Sequence, residues 1–248
     1  MTRHLGILGH SAEGAALCFR TFCQMGEDAL GEHEHPDVTL DCISFARCMP
    51  AYDRGDFDAV RATMEVSLDR LAAAGADFFV CPDNTVHQAL ERPGRDFPIP
   101  GLHIAHVVAD HAASAGYRRV ALLGTRYTMD GPVYPAALGA RGIEAVVPDP
   151  GDRALVDDII FGELVKGVFT DASRETFRTI IQTLAGRGCD AVALVCTEIP
   201  LLVTPESSPL PTLDSTRLLA GAALDVAVGR RPMPAWRGGP YAQGGPST

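Results

Sequence analysis

Short apolar runs recur along the chain, separated by longer stretches whose apolar positions return every three or four residues. The runs Leu5–Leu8, Val38–Ile43, Phe78–Cys81, Val120–Leu123, Glu144–Val147 and Val192–Cys196 read as strands. Their near-continuous apolar character is what a strand covered on both faces requires. The stretches between them predict helices over about 12–30, 58–74, 104–116, 131–141, 153–166 and 173–187. Within 58–74, Val60, Met64, Leu68 and Leu71 fall on one helical face. A last strand-to-helix turn starts at Pro211–Thr216, with its helix reaching about Gly229. Strands alternating with helices predict parallel sheets. The second half repeats the plan of the first, though not its sequence. The expected fold is therefore α/β, with two pseudo-symmetric lobes, each a parallel sheet flanked by helices. Residues 1–100 with 214–229 are expected to form the first lobe and 101–213 the second. Residues 230–248, rich in Gly and Pro, are expected to be a flexible tail.

Two of the runs end in clusters of small polar and ionisable residues. Phe78-Phe79-Val80-Cys81 leads to Pro82-Asp83-Asn84-Thr85-Val86-His87, and Val192–Val195 leads to Cys196-Thr197-Glu198-Ile199-Pro200. Ligands of open α/β sheets sit outside the carboxyl ends of strands. Two such ends in corresponding places of two halves point to a ligand held between the lobes.

Composition narrows the class of ligand only a little. The chain has 248 residues, 46% of them hydrophobic, enough for a large core. A net charge of -10 without any basic stripe argues against nucleic acid. No apolar run approaches the roughly 20 residues of a membrane span. The amino terminus runs directly into the first strand, unlike a signal peptide. Seven cysteines, an odd number without tight metal spacing, suggest reduced thiols and a cytoplasmic setting. His33 and His35 lie in a polar loop that reads as a solvated charge run, so no metal site is expected.

Other strand ends add candidates. Gly9-His10-Ser11 precedes the first helix, where free backbone N–H groups can hold an anion, making Ser11 a candidate contact. The junction is not a dinucleotide fingerprint. Arg47 follows the strand Val38–Ile43, where a guanidinium could clamp a carboxylate. Thr125-Arg126-Tyr127-Thr128 closes the strand Val120–Leu123 with hydroxyls and amides.

Cys196 and Asp83 are the candidate proton-transfer pair. A thiol followed by Thr197 and Glu198 is open to polarisation by hydroxyl and backbone donors. A carboxylate flanked by Asn84 and Thr85 can serve as base when ionised and as acid when neutral. His87 either orients Asp83 or a ligand, or caps the turn. Two such groups on opposite sides of one carbon allow a proton to leave one face and arrive on the other. The hydroxyls of Thr85, Thr125, Thr128 and Thr197, with backbone amides, are candidates to stabilise the carbanion through its carboxylate.

With these motifs the chain resembles the cofactor-independent aspartate/glutamate racemase family, which includes hydantoin racemases and maleate isomerase and arylmalonate decarboxylase relatives. The resemblance spans roughly residues 4–229. It rests on Asn84-Thr85-Val86-His87, Leu102-His103-Ile104-Ala105, Leu122-Leu123-Gly124-Thr125-Arg126-Tyr127-Thr128-Met129, Glu163–Gly167 with Ser173-Arg174, Cys196-Thr197-Glu198-Ile199 and Asp214-Ser215-Thr216. It implies an aspartate/glutamate racemase-like fold with the site in the cleft, no cofactor, a small carboxylate substrate and a homodimer. It also implies two catalytic cysteines on opposite faces of the substrate. The second matches Cys196; the first position holds Asp83, while Cys81 lies two residues earlier on the same side of an ideal strand. The family's cations for substrate carboxylates map onto Arg47 and Lys166. Its opening Gly-Gly-Met-Ser pattern is kept only as Gly9-His10-Ser11.

The expected activity is racemisation or epimerisation of a small, acidic amino acid between Asp83 and Cys196. Ser11, Arg47, Asn84, Thr85, Thr125, Thr128, Lys166, Thr197 and Glu198 are the expected substrate contacts. A carboxylate is a weaker base than a thiolate by roughly four pKa units. The exchange of Cys for Asp therefore leaves open decarboxylation, isomerisation, or a lyase or cyclase reaction on the same scaffold. A non-catalytic dicarboxylate binder is the reading from a different class.

Overall fold

In the computed structural model, which describes residues 2–241, the chain winds through two parallel sheets in turn. The first half runs β1 (Leu5–Gly9), α1 (Ala12–Leu30), β2 (Val38–Cys42), α2 (Met49–Asp53), α3 (Phe57–Ala73), β3 (Phe78–Val80), α4 (His87–Leu90) and β4 (Gly101–Leu102). Helix α5 (Ile104–Ser114) then leads into the second half. This contains β5 (Arg119–Leu123), α6 (Arg126–Met129), α7 (Val133–Gly139), β6 (Glu144–Val146), α8 (Pro150–Gly162), α9 (Asp171–Gly186), β7 (Ala191–Leu194), α10 (Ile199–Leu202), β8 (Thr212–Asp214) and α11 (Ser215–Ala227).

The strand order is β2-β1-β3-β4 in one sheet and β6-β5-β7-β8 in the other, with all strands parallel. The two orders are the same, so the repeated plan is a repeated topology. Residues of β1, β3 and β7 are buried throughout, as their continuous apolar runs require. Helix α3 buries Val60, Met64, Leu68 and Leu71, the face read from their spacing. Side-chain caps mark several helix starts: Ser11 accepts from the Gly14 amide, Asp56 from Ala59, and Asp214 from Thr216 and Arg217.

Helix α5 joins the two halves. Ile104 and Val107 enter the core shared by β1, β3, α1 and α11, whereas Ala105, Val108, Ala109 and Ala112 enter the core under β5 and β7. After β8 the chain returns to the first lobe, where α11 packs on α1. Among the described residues, no helix is long and apolar enough to cross a membrane.

Four differences from the sequence expectation have local causes. Gly101–Leu102 pairs with β3, so the first sheet extends past residue 100. The helix expected over 131–141 is the shorter α7, and the loop expected over Thr125–Met129 holds a short helix of its own, α6; between them Pro132 lacks an amide donor. The helix expected over 153–166 starts at Pro150 and stops at Gly162, and a single 3-10 turn covers Leu164–Lys166.

The fourth concerns residues 230–241, which are packed rather than flexible. Trp236 is buried against Phe79, Phe97, His87 and His103. Its carbonyl accepts from Gly101 N at 2.8 Å and that of Arg237 accepts from Phe97 N at 2.8 Å. Burial of the indole fixes a segment whose Gly and Pro content suggested otherwise. Residues 242–248 of the expected tail lie outside the described residues.

Candidate active site

The central pair of strands in each sheet, β1 and β3, then β5 and β7, points its carboxyl ends at one cleft. The segments leaving these strands bring Ser11, Asp83, Thr125 and Cys196 to a cavity of about 380 Å³ between the lobes. These are the switch positions of the two sheets, where crossovers leave in opposite directions and open a crevice.

On the first lobe, Asp83 is half-buried and its Oδ1 accepts from the Val86 amide at 3.1 Å. The main chain of Asp83 is held as well: its carbonyl accepts from His87 Nδ1 at 2.7 Å. Nε2 of His87 accepts from the Ile104 amide at 3.4 Å. Burial pushes the His87 imidazole down to about 3, so the ring is neutral, with its proton on the Asp83 side. His87 is fully buried and does not line the cavity; its contact with Asp83 is to the main-chain carbonyl of the turn. Asn84 is fixed from both ends, accepting from Tyr134 Oη at 2.6 Å and donating to Ser215 Oγ at 3.1 Å.

Three hydroxyls close the base of the cleft. Thr85 Oγ1 lies 3.2 Å from Thr125 Oγ1 and 3.1 Å from Thr128 Oγ1, and the last two are 3.3 Å apart. Thr85 comes from the first lobe and its partners from the second. Thr85 and Thr125 reach the cavity, and Thr128 is buried behind them.

On the second lobe, Cys196 Sγ donates to Glu198 Oε2 at 3.0 Å, and Thr197 Oγ1 donates to the same oxygen at 2.7 Å. Burial, then the charge of Glu198 and this hydrogen bond, push the thiol well above its ordinary pKa; the charge of Asp83 adds to the shift. Cys196 is therefore a protonated thiol with an acceptor already in place.

Gly14, in the first turn of α1, sits where these parts converge. A Cβ there would lie 2.7 Å from both the Pro82 carbonyl oxygen and Thr197 Cγ2. Only hydrogen fits between the two strand-end loops at this point.

Arg47 and Lys166 do not line the cavity. Both are exposed, and each lies in a 3-10 turn in which an apolar neighbour, Phe45 or Val165, lines it instead. Arg126 supplies the one guanidinium among the described lining residues. Cys81 is fully buried in the core with Leu8, Phe79 and Val86, and Asp83 takes the place in the cavity.

Two residues that sequence reasoning passed over also line it. His10 leaves β1 one residue after Gly9, and its Nε2 meets Tyr52 Oη at 3.0 Å. Burial lowers the His10 pKa against an opposing pull from Asp83. The signal for His10 was its place at a strand's carboxyl end, the same place that marks Asp83 and Cys196. Tyr52 comes from α2, a five-residue helix with no comparable signal.

The profile of the Asp/Glu/hydantoin racemase family matches residues 21–223. A crystal structure from Yersinia pestis assigned as an Asp/Glu racemase superposes with a TM-score of 0.82 at 31% identity, covering 91% of this chain and 99% of that one. An aspartate racemase homologue from Pyrococcus horikoshii OT3 shares the fold, with a TM-score of 0.77 at 23% identity over 92% of this chain and 100% of that one. The broad specificity amino-acid racemase RacX of Bacillus subtilis (strain 168) is 22% identical over 210 residues, 83% of this chain and 88% of its own. Two matching lobes around a cleft that holds candidate proton donors and acceptors define a racemase-type isomerase. The chain belongs to the Asp/Glu/hydantoin racemase family.

Proposed function

We propose that the protein racemises a small α-amino acid by proton transfer between Asp83 and Cys196. The observation that carries this reading is that the two side chains reach one cavity from β3 of one lobe and β7 of the other. In one direction the Asp83 carboxylate takes the α-proton, and the electron pair left on carbon delocalises into the substrate carboxylate. The Cys196 thiol then gives its proton to the other face of the carbon. In the reverse direction the thiolate left on Cys196 takes the α-proton of the other enantiomer, and the protonated Asp83 returns one to the first face. The hydroxyls of Thr85 and Thr125, with Ser11, Asn84 and the Thr197 backbone amide, are the donors for the substrate carboxylate, where charge develops. Thr128 and His87 hold two of these groups in place from behind.

The similarity to an amino-acid racemase of broad specificity supports an amino acid as substrate. The acidic side chain expected from sequence would find only the Arg126 guanidinium among the described lining residues. A homodimer belongs to the same proposal and is read by sedimentation.

The test is proton NMR in deuterated water with a panel of L-amino acids, following loss of the α-proton signal and appearance of the D-isomer on a chiral column. Asp83→Asn keeps an acceptor for the Val86 amide but cannot take a proton; Cys196→Ala removes the other group. Both variants are expected to lose inversion, retaining at most exchange at one face. Absence of exchange with every amino acid of the panel, or inversion unaffected by both substitutions, would sink the reading.

A further inference from the structure

The cavity walls bear on the side chain of the substrate, and this step rests on the racemase reading above. Phe45 and Met49 follow β2 on the first lobe; Phe161 and Val165 stand at the end of α8 and just beyond it on the second. All four line the cavity, yet they are 42%, 40%, 43% and 45% exposed. Large apolar side chains left half-open at the rim of a cleft, from both lobes, gain by being covered. The rings of Tyr52 and Tyr127, one from each lobe, lie 6.3 Å apart and add an aromatic wall.

The charges in the lining argue against an acidic side chain. Asp53, Asp83, Asp157 and Glu198 all line the cavity. Arg126 is engaged by its own surroundings: its guanidinium lies over the Tyr127 ring at 5.0 Å, Nη2 donates to Tyr127 Oη at 3.1 Å, and Nε is 3.9 Å from Asp157 Oδ2. A second substrate carboxylate would therefore enter a region already rich in negative charge.

We infer that the substrate is an amino acid with an apolar side chain, aliphatic or aromatic, held between Phe45 and Met49 of one lobe and Phe161 and Val165 of the other. The α-carboxylate meets the threonine hydroxyls at the base of the cleft, and the side chain points to the rim.

The test compares kcat/KM for α-proton exchange in deuterated water among L-methionine, L-phenylalanine, L-alanine, L-aspartate, L-glutamate and L-lysine. Methionine or phenylalanine is expected to exceed both alanine and aspartate by about tenfold or more, the scale on which apolar contacts discriminate. Phe161→Ala and Met49→Ala, both at exposed positions, are expected to lower the value for the preferred apolar substrate several-fold more than that for alanine. Preference for aspartate, glutamate or lysine would overturn the inference while leaving the racemase reading intact. Absence of exchange with any amino acid would remove the racemase reading, and calorimetry of 3-phenylpropionate against succinate would then decide the apolar site by itself. Tighter binding of 3-phenylpropionate would uphold it; tighter binding of succinate, or binding of neither, would overturn it.

Discussion

The Cys196 thiol lies 3.0 Å from Glu198 Oε2 and donates to it, within a site whose burial already disfavours the thiolate. The pair is a stored proton with its acceptor attached, rather than a free nucleophile.

From this arrangement Cys196 should react slowly with iodoacetamide at pH 8, because the thiolate is the nucleophile. Glu198→Gln removes a charge that raises the thiol pKa. Alkylation of the Cys196 peptide, followed by mass spectrometry, should then become faster, by up to about tenfold for each unit that the pKa falls. An unchanged alkylation rate would show that Glu198 does not govern the thiol.

Gly14→Ala places a methyl 2.7 Å from the Pro82 carbonyl and from Thr197 Cγ2. One neighbour is backbone and the other is held by its hydrogen bond to Glu198, so both loops must move. Misplacement of catalytic groups by about 1 Å can cost on the order of 100-fold in rate. Racemisation should fall by at least about tenfold while circular dichroism stays native, and wild-type turnover in Gly14→Ala would refute the convergence argument.

Three buried histidines make the fold sensitive to acid. Burial lowers His87 to about 3 and His106 to about 4, and holds His103 well below its ordinary value. Around them stand Glu91, which accepts from His103 Nε2 at 2.9 Å, and Arg141, which donates to His106 Nδ1 at 3.2 Å and pairs with Asp110 at 2.6 Å. The unfolded chain protonates its histidines near 6.5, whereas the folded chain resists until far lower. Stability is thus intact above about pH 6.5 and is lost as pH falls towards the folded values, by up to about 1.4 kcal/mol per pH unit for each histidine. Urea unfolding at pH 7.5 and pH 5 should show the lower stability at pH 5; equal midpoints would contradict the neutral assignment.

Much of the fold was legible because buried parallel strands need uninterrupted apolar residues, and the runs ending at Asp83 and Cys196 supply them. The same logic located Asn84, Thr85, Thr125, Thr197 and Glu198, whose positions follow from the strand ends. Arg47 and Lys166 stand outside the cavity lining for a local reason. In a 3-10 turn successive side chains point about 120° apart, and in both turns the apolar members Phe45 and Val165 took the inward direction. Residue type suggested a carboxylate clamp; the pitch of the turn directs these two cations away from the cavity. The short helices α2, α4, α6 and α10 carried too few residues for a periodic signal.

Trp236 was the one sign in the Gly- and Pro-rich segment that it would pack. Its indole donates to the Gly239 carbonyl at 3.0 Å and covers Phe79 and Phe97. It also stacks beside His87, with centroids 6.1 Å apart, and so backs the imidazole that holds the Asp83 main chain. Trp236→Ala should therefore cost about 3–5 kcal/mol of stability, as other large-to-small core changes do. Trp236→Phe should recover part of that loss, because the ring contacts survive and only the indole donor is removed. Under conditions where Trp236→Ala remains folded, its racemisation rate should also fall below that of Trp236→Phe, since His87 then loses its backing. Urea unfolding by circular dichroism reads the first effect and α-proton exchange the second. Near wild-type stability for Trp236→Ala would show that residues 230–241 lie on the first lobe without supporting it.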